Sequence, residues 1–228
     1  MTKQNVRGRI IKSLGGFYYV ADSEQKGNII ECRARGAFRQ QNVKPCVGDW
    51  AQVELTPQGK GYVVEIEERK NSLVRPPLAN LDQLVLVVSI ADPAPNAFVL
   101  DKLIAIAEYQ EIEPIIVITK CDLADPEEFA QIYRKAGFTV LETKSLQHEG
   151  IESVMEILKD KTSAFCGNSG AGKSTLLNAI DPRLSLDTGD ISQKLGRGRH
   201  TTRHVELYEL PSGGFVADTP GFSAVDLE

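Results

Sequence analysis

The sequence has 228 residues, of which 42% are hydrophobic and 25% are charged, and its formal net charge at pH 7 is −5. These proportions are typical of folded globular proteins and exclude wholesale disorder. No apolar run approaches the roughly 18 residues that cross a bilayer, and the polar start has no signal-peptide core. We therefore expect a cytoplasmic protein, and a monomer by default.

The distributions of cysteine and of charge narrow the class of protein further. The cysteines at 32, 46, 121 and 166 are scattered and match no zinc-ligand spacing, which predicts reduced, structural thiols. Residues 1–72 hold 12 Lys/Arg and 8 Asp/Glu, a balance of +4, so the remainder carries −9. This asymmetry suggests that the N-terminal part faces a polyanion, although ordinary solvated charges explain it equally well.

The first 70 residues favour strands. Aromatic and β-branched segments, such as Phe17–Val20 and Asp49–Leu55, alternate with glycine-containing turns. About five short strands in this length predict a small barrel, and an OB-fold is the most economical choice. An SH3-like barrel would give the same pattern. Pro76-Pro77 then marks residues 71–80 as an extended linker between a domain over 1–70 and a domain over 81–228.

From residue 81 onward, apolar runs alternate with helical stretches. We predict strands over 83–89, 114–118, 139–141 and 163–166, and helices over 98–109, 127–136 and 151–158. Such alternation is typical of an α/β domain with a mostly parallel sheet.

The tetrapeptide Thr119-Lys-Cys-Asp122 directly follows the second of these strands. The carboxylate of Asp122 can accept both the N1–H and the 2-amino hydrogens of guanine, a donor pair that adenine lacks, while the stem of Lys120 covers the base. The pattern resembles the [NT]-K-x-D guanine motif of GTPases, with Thr119 where Asn is more usual. Ser145, later in Glu142-Thr-Lys-Ser145, is the nearest candidate for a second base contact through its backbone N–H.

Residues 167–174, Gly-Asn-Ser-Gly-Ala-Gly-Lys-Ser, match the phosphate loop G-x-x-x-x-G-K-[ST] between a strand and a helical run. In such loops the backbone N–H groups point at a polyphosphate, the lysine reaches the β/γ-phosphates and the hydroxyl binds Mg²⁺. The candidates for nucleotide binding are Gly167, Asn168, Ser169, Gly170, Ala171, Gly172, Lys173, Ser174 and Thr175. Ser174 is also the first candidate Mg²⁺ ligand.

Two further elements follow the phosphate loop. Asp218-Thr-Pro-Gly221 comes after an apolar segment and resembles D-x-x-G, whose carboxylate orients Mg²⁺ and whose glycine N–H senses the γ-phosphate. Between the two motifs, Thr201 or Thr202 is the candidate threonine that closes over Mg²⁺ and the γ-phosphate. Its glycine-containing, polar surroundings suit a switch segment.

The order of these motifs is unusual for a GTPase. Ordinarily the phosphate loop (G1) precedes the switch threonine (G2), D-x-x-G (G3), the guanine motif (G4) and the last base contact (G5). Here the order is G4-G5-G1-G2-G3. This indicates a circular permutation, which preserves the site if the original termini lay close together.

These residues closely resemble the ribosome small-subunit-dependent GTPases, the RsgA-type family of circularly permuted GTPases. The resemblance covers residues 5–226 and rests on G-N-S-G-A-G-K-S-T, G-R-G-R-H-T-T-R and the permuted order. It implies an OB-fold barrel followed by a P-loop GTPase domain. It also implies hydrolysis of GTP to GDP, stimulated by the 30S subunit during its late maturation, with 16S rRNA as a partner. The zinc-binding Cys/His segment of the family's C-terminal domain, expected after Asp226, is absent from this sequence, which therefore looks truncated.

The catalytic residues are less evident from the pattern. Phe222 follows D-T-P-G, where many GTPases have a water-positioning glutamine. His200, beside the switch threonines, is the candidate that orients or deprotonates the attacking water, and the family resemblance supports that role. Lys173 is expected to neutralise the developing charge. Contact of His200 with rRNA or solvent is the alternative.

Two other functions fit parts of the pattern. An ATP-using P-loop enzyme would share the phosphate loop but would give Asp122 no role. A nucleotide-regulated RNA-binding module with little catalysis would depend on the basic barrel residues Arg7, Arg9, Arg33, Arg35 and Arg39. Hydrolysis of GTP compared with ATP, with and without 30S subunits, separates the three.

Overall fold

The computed structural model describes residues 5–35, 38, 44–186 and 205–218. Contacts within the chain divide it into two compact units. The first consists of the residues up to Leu81 together with the short segment that ends at Leu207, and the second consists of the rest. Across the described residues, no helix is long and apolar enough to span a membrane.

The first unit contains a closed barrel of five strands. They are β1 (Asn5–Leu14), β2 (Phe17–Asp22), β3 (Ile29–Ala34), β4 (Trp50–Leu55) and β5 (Gly61–Ile66). The strands close in the order β1-β2-β3-β5-β4, with β3 and β5 parallel and the other pairs antiparallel. This topology confirms the OB-fold prediction and decides against the SH3-like alternative.

Side-chain alternation explains why these segments form a barrel. On β2, Tyr18 and Val20 are buried, whereas Phe17 and Tyr19 are only partly covered. The inward residues of all five strands form one apolar cluster that includes Ile10, Val20 and Val53. A strand has a period of two, so every second side chain points into this cluster. The alternation of residues along each strand therefore determines which of them form the core.

Trp50, the single tryptophan of the chain, lies half-buried at the start of β4. The guanidinium carbon of Arg7 lies 4.1 Å from its ring centroid, and that of Arg9 lies 5.5 Å away. Arg7 also donates two hydrogen bonds to Glu67, of 2.7 Å and 2.8 Å, and these bonds hold the pKa of the Glu67 carboxyl below its usual value. Cation–π stacking and a bidentate ion pair thus fix the arginine on the ring.

Residues 71–80, which the sequence suggests as an extended linker, form part of the first unit instead. They contain an antiparallel hairpin, β6 (Ser72–Leu73) and β7 (Leu78–Ala79). Asn71 exchanges two hydrogen bonds with the backbone of Leu81, of 2.8 Å and 2.9 Å, and Asn80 donates one of 3.1 Å to the carbonyl of Gly48. The bond from Asn80 joins residues 32 apart in sequence, so the local Pro-Pro pattern does not reveal it.

The second unit is a six-stranded sheet with helices. The strands are β8 (Gln83–Ser89), β9 (Glu113–Thr119), β10 (Thr139–Glu142), β11 (Thr162–Cys166), β12 (Leu207–Glu209) and β13 (Phe215–Asp218). The helices are α1 (Ala97–Tyr109), α2 (Glu127–Lys135), α3 (Ile151–Leu158) and α4 (Lys173–Ile180). The sheet order is β10-β9-β8-β11-β13-β12, and the first five strands run parallel to one another.

This arrangement confirms the predicted α/β class. The central strands β8 and β9 are almost continuously buried, as expected for parallel strands covered on both faces. Because the strands are parallel, the carboxyl ends of β8, β9, β11 and β13 lie along one edge of the sheet. Ligands of open α/β sheets bind at this edge, and the chain places Ser89, Thr119, Cys166 and Asp218 there.

Candidate functional site

The phosphate loop connects β11 to α4 at the carboxyl edge of the sheet. Gly170 and Gly172 have φ angles of 79° and 85°, in the left-handed region that glycine adopts without strain. At Gly167 an added Cβ would lie 2.3 Å from the carbonyl oxygen of Val87, so only glycine permits β8 and the loop to approach this closely. Backbone conformation thus favours glycine at 170 and 172, whereas the close approach of β8 requires glycine at 167.

Helix α4 begins at Lys173, directly after the loop. Its apolar face, Leu176, Leu177 and Ile180, is buried in the core of the unit together with Ala171 of the loop. Packing therefore fixes the position of the helix N-terminus, where unpaired backbone N–H groups and the helix dipole favour a phosphate.

Thr119, the last residue of β9, connects the guanine motif to the phosphate loop. Its side chain is buried, and its Oγ1 donates a hydrogen bond of 2.6 Å to the carbonyl oxygen of Ala171. A Cβ added at Gly172 would lie 3.4 Å from the same hydroxyl. The two motifs, which are 52 residues apart, are therefore in direct contact at the carboxyl edge.

The residues after Thr119 form a tight turn. Lys120 has a φ of 59°, and its Nζ donates to the carbonyl of Asp92. The N–H of Leu123 donates to the carbonyl of Lys120 at 2.9 Å, which closes the turn and leaves Asp122 exposed. An exposed carboxylate on a fixed turn next to the phosphate loop is available to a ligand.

A second link joins this turn to Ser145. The N–H of Cys121 donates to the carbonyl of Thr143 at 3.3 Å, and the hydroxyls of Thr143 and Ser145 lie 3.4 Å apart. Ser145 begins a short 3₁₀ helix, Ser145–Gln147. Beside it, Lys144 bonds to Glu149 at 2.6 Å, and this bond raises the pKa of the lysine. The chain thus brings the candidate for the second base contact to the same corner of the sheet as the guanine motif.

Lys173 and Asp218 meet where β11 and β13 lie side by side. The Nζ of Lys173 is 3.3 Å from Oδ1 of Asp218, and the two side chains are 13% and 20% exposed. The same Oδ1 is buried and accepts no hydrogen bond, so the contact is electrostatic only. A buried carboxylate oxygen without a donor, beside a phosphate loop, fits the hard-oxygen ligands that Mg²⁺ prefers.

Within the ranges that the structure describes, no group of three His, Cys, Asp or Glu side chains could hold a metal ion. A Mg²⁺ ion at Asp218 would therefore depend on hydroxyl, water and phosphate oxygens for its other ligands, which is usual for this ion. The four cysteines are free, and burial raises the pKa of Cys166 beneath the loop and of Cys121 in the guanine motif.

Part of the sequence-based site lies outside the described residues. This applies to His200, to both switch threonines, Thr201 and Thr202, and to Gly221 of D-x-x-G. Their roles stay predictions.

The loop after β8 also contacts the site, although no sequence motif marks it. Pro93 Cδ would lie 3.3 Å from a Cβ at Gly170, and the preceding carbonyl of Asp92 accepts from Lys120. The loop and Asn96 line a cleft together with Gly167 and Asn168. Its only sequence signal is an Asp-Pro turn after a strand, which does not distinguish it from ordinary loops.

Family models match both units. Residues 7–63 match the RsgA N-terminal domain, and residues 66–228 match the RsgA GTPase. Among curated proteins, the chain is 48% identical over 228 residues to "Small ribosomal subunit biogenesis GTPase RsgA" of Caldanaerobacter subterraneus subsp. tengcongensis. It is 47% identical over 227 residues to the protein of the same name in Bacillus subtilis. The two alignments cover 99% and 96% of this chain, and 76% of each relative.

Solved structures agree with this comparison. The crystal structure of YjeQ from Thermotoga maritima matches with a TM-score of 0.82 and 34% identity, over 98% of this chain and 78% of that one. The structure of YloQ, described as a circularly permuted GTPase, matches with a TM-score of 0.80 and 40% identity, over 98% and 74%. The permuted order of the motifs is thus matched by a similar fold of known structure.

Proposed function

Because the chain belongs to the RsgA GTPase family, we propose that its phosphate loop and guanine motif together bind GTP and hydrolyse it to GDP and phosphate in late maturation of the small ribosomal subunit. The partners are the 30S subunit and 16S rRNA, and the reaction takes place in the cytoplasm. The protein acts as a monomer.

One observation carries the assignment: the 2.6 Å hydrogen bond from Thr119 Oγ1 to the carbonyl of Ala171. This bond joins the turn that carries Lys120 and Asp122 to the loop over 167–174, which supports a single ligand that reaches both. A phosphate loop alone would accept any nucleoside triphosphate. Asp122, exposed on the turn that follows Thr119, supplies the acceptor for the guanine N1–H and 2-amino group, and Lys120 covers the base.

Hydrolysis is an in-line attack of water on the γ-phosphate. The backbone N–H groups of residues 167–175 bind the phosphate oxygens. Lys173 moves its charge from Asp218 to the β/γ-phosphates, where it stabilises the charge that develops in the transition state. Ser145 holds the opposite side of the base through its backbone N–H.

Mg²⁺ would be held by Ser174, by Thr201 or Thr202, and by Asp218 through water, while the N–H of Gly221 contacts the γ-phosphate. When bound, the ion neutralises charge on the β- and γ-phosphates. Oδ1 of Asp218, which is buried and accepts no hydrogen bond, supports this assignment.

His200 orients or deprotonates the attacking water, because Phe222 cannot replace the usual glutamine. Intrinsic turnover is therefore slow, and the small subunit accelerates it. Zinc belongs to the C-terminal domain of the family, and the residues that the structure describes contain no group of three His, Cys, Asp or Glu side chains that could hold it.

Single-turnover hydrolysis of GTP and of ATP, each with and without 30S subunits, tests the proposal. We expect GTP to be preferred and 30S subunits to increase the rate. Equal rates with GTP and ATP would favour an ATP-using enzyme, and binding to 30S without hydrolysis would favour a nucleotide-regulated RNA-binding module.

A further inference from the structure

Glu206 attaches the chain to the barrel shortly after the candidate switch threonines. Its Oε2 lies 2.8 Å from Nζ of Lys12 on β1, and the two residues also form an antiparallel backbone bridge. The side chains of Glu206 and Lys12 are 28% and 33% exposed, so the ion pair is partly shielded from water. Both residues belong to the first unit.

The course of β1 explains why Lys12 can make this contact. Strand β1 pairs with β4 only from Asn5 to Arg9, whereas it pairs with β2 as far as Leu14. Its register with β2 shifts between Ile10 and Lys12, and such irregularities bend a strand and re-aim its side chains. Lys12 thus lies beyond the last partner on β4, at a point where β1 can accept another segment of chain.

Burial fixes the register of the attached segment. Val205 and Leu207 are 8% and 2% exposed, whereas Glu206 between them is only partly covered. Since side chains alternate along an extended chain, burial of both apolar neighbours turns the carboxylate of Glu206 the other way. A slip of one residue would expose both apolar side chains, so the pairing of Glu206 with Lys12 is specified. The chain then continues as β12, next to β13 in the sheet.

The length of chain before Glu206 limits the reach of the switch threonines. Thr201 and Thr202 precede Glu206 by five and four residues. An extended chain spans at most about 3.6 Å per residue, so a threonine at either position can bind only within about 18 Å of Glu206. Fixing Glu206 therefore bounds the positions at which a switch threonine can act.

The contact at the other end of this stretch is too distant in sequence to have the same effect. Asn178 on α4 exchanges two hydrogen bonds with the backbone of Leu186, of 2.7 Å and 2.9 Å. Thr201 follows Leu186 by 15 residues, a length that spans up to about 54 Å when extended. Of these two contacts, the Lys12–Glu206 pair is therefore the one close enough to position a threonine.

We propose that Lys12 is a positioning residue for the triphosphate state of the nucleotide site. It acts through Glu206, which it holds at a fixed point of the barrel, so that less conformational freedom is lost when a switch threonine binds Mg²⁺ and the γ-phosphate. This inference rests on the proposed function, because that function assigns the threonine to these ligands.

The test compares two affinities of the full chain by calorimetric titration: that for a non-hydrolysable GTP analogue with Mg²⁺, and that for GDP without metal. Lys12→Met should weaken binding of the analogue about five-fold, the upper range for a partly exposed ion pair. It should lower kcat/KM for GTP by the same factor. GDP affinity should keep its parent value, because GDP has no γ-phosphate for the threonine to contact. A purely structural role of Lys12 would change both affinities or neither.

Further variants separate the charge of Lys12 from its packing. Lys12→Arg keeps the cation and should bind the analogue like the parent protein, whereas Glu206→Gln should reproduce the loss. Lys12→Glu combined with Glu206→Lys reverses the pair, and should bind the analogue more tightly than Lys12→Glu alone. Lys60→Met is the matched control, because it removes another Lys–Glu pair of the barrel, with Glu31 at 2.7 Å, and should bind the analogue normally.

Two results would overturn the inference: parent-like binding of the analogue by both Lys12→Met and Glu206→Gln, or an equal loss of binding in Lys60→Met. GTP hydrolysis by the parent protein separates the inference from the proposed function. A parent protein that hydrolyses no GTP, while Lys12→Met still weakens binding of the analogue, would refute only the proposed function. A parent protein that hydrolyses GTP, while Lys12→Met and Glu206→Gln bind the analogue normally, would refute only the inference.

Discussion

Thr119 Oγ1 lies 2.6 Å from the carbonyl oxygen of Ala171, and this hydrogen bond joins the guanine motif to the phosphate loop. In Thr119→Val, the carbonyl would keep its buried position without this donor, at a cost of about 1–3 kcal/mol. We expect GDP affinity to fall roughly ten-fold, measured by calorimetric titration. Thr139→Val, at an exposed position on β10, is the control and should bind normally.

Asp122→Asn should change which base is bound. The amide presents a donor where guanine also has donors, whereas xanthine has an oxygen in place of the 2-amino group. We expect weaker GTP binding and a preference for xanthosine triphosphate in competition assays. Asp125→Asn alters an exposed carboxylate on the same loop and should keep the preference for GTP. An unchanged preference in Asp122→Asn would remove the base-reading role.

Asp218→Asn should raise the affinity for GDP without Mg²⁺ and lower the rate of GTP hydrolysis with Mg²⁺. In metal-free buffer, the loss of the carboxylate 3.3 Å from Lys173 frees the lysine for phosphate, so GDP affinity should rise. With Mg²⁺ present, GTP hydrolysis should fall by at least about ten-fold, an effect of 1.4 kcal/mol or more. Glu152→Gln, an exposed change on α3, should alter neither quantity. A fall in GDP affinity in metal-free buffer would contradict the competition between Asp218 and phosphate.

Gly172→Ala should affect the ligand more than the fold. The φ of 85° strains any side chain, and the new methyl would lie 3.4 Å from Thr119 Oγ1. Gly137→Ala is the matched control, because Gly137 has a φ of 93° and nothing within 4 Å of an added Cβ. Both changes should lower the free energy of unfolding by about 1 kcal/mol. Only Gly172→Ala should weaken GDP binding, and equal binding of the two variants would argue against contact between loop and motif.

The ion pair between Arg69 and the buried Asp49 should contribute more to the stability of the first unit than an exposed ion pair does. Arg69 donates hydrogen bonds of 2.7 Å and 2.9 Å to Asp49, whose side chain is fully buried. Arg69→Met leaves that carboxylate without its partner and should cost about 3–5 kcal/mol of unfolding free energy in urea titrations followed by circular dichroism. Lys60→Met, which breaks the exposed pair with Glu31, should cost less than about 1 kcal/mol. Similar losses of unfolding free energy in the two variants would show that burial of the carboxylate does not determine how much an ion pair stabilises this unit.

Local patterns predicted most of the fold, because each element carries its own period. The strand over 83–89 and the helix over 151–158 have the expected bounds, and the permuted sheet follows from the order of the motifs. The local pattern does not predict the hairpin around Leu78, because Asn80 stabilises it through the carbonyl of Gly48, 32 residues earlier.

The motifs indicate candidate residues of the site but not how these residues contact one another. A consensus shows that Thr119 replaces Asn, yet only the structure shows its hydroxyl on Ala171. The pairing of Lys173 with Asp218 depends on β11 and β13 being adjacent, and the approach of Pro93 to Gly170 depends on a loop without a motif. Such contacts arise from tertiary packing, which a single sequence does not encode locally.

The stacking of Arg7 on Trp50 has a practical consequence. Since the chain has one tryptophan and it belongs to the barrel, its ultraviolet emission is an intrinsic optical label for that unit alone. Guanine nucleotides bound at the other unit would leave this emission unchanged unless the two units are coupled. A change in emission on adding nucleotide would therefore be direct evidence of communication between them.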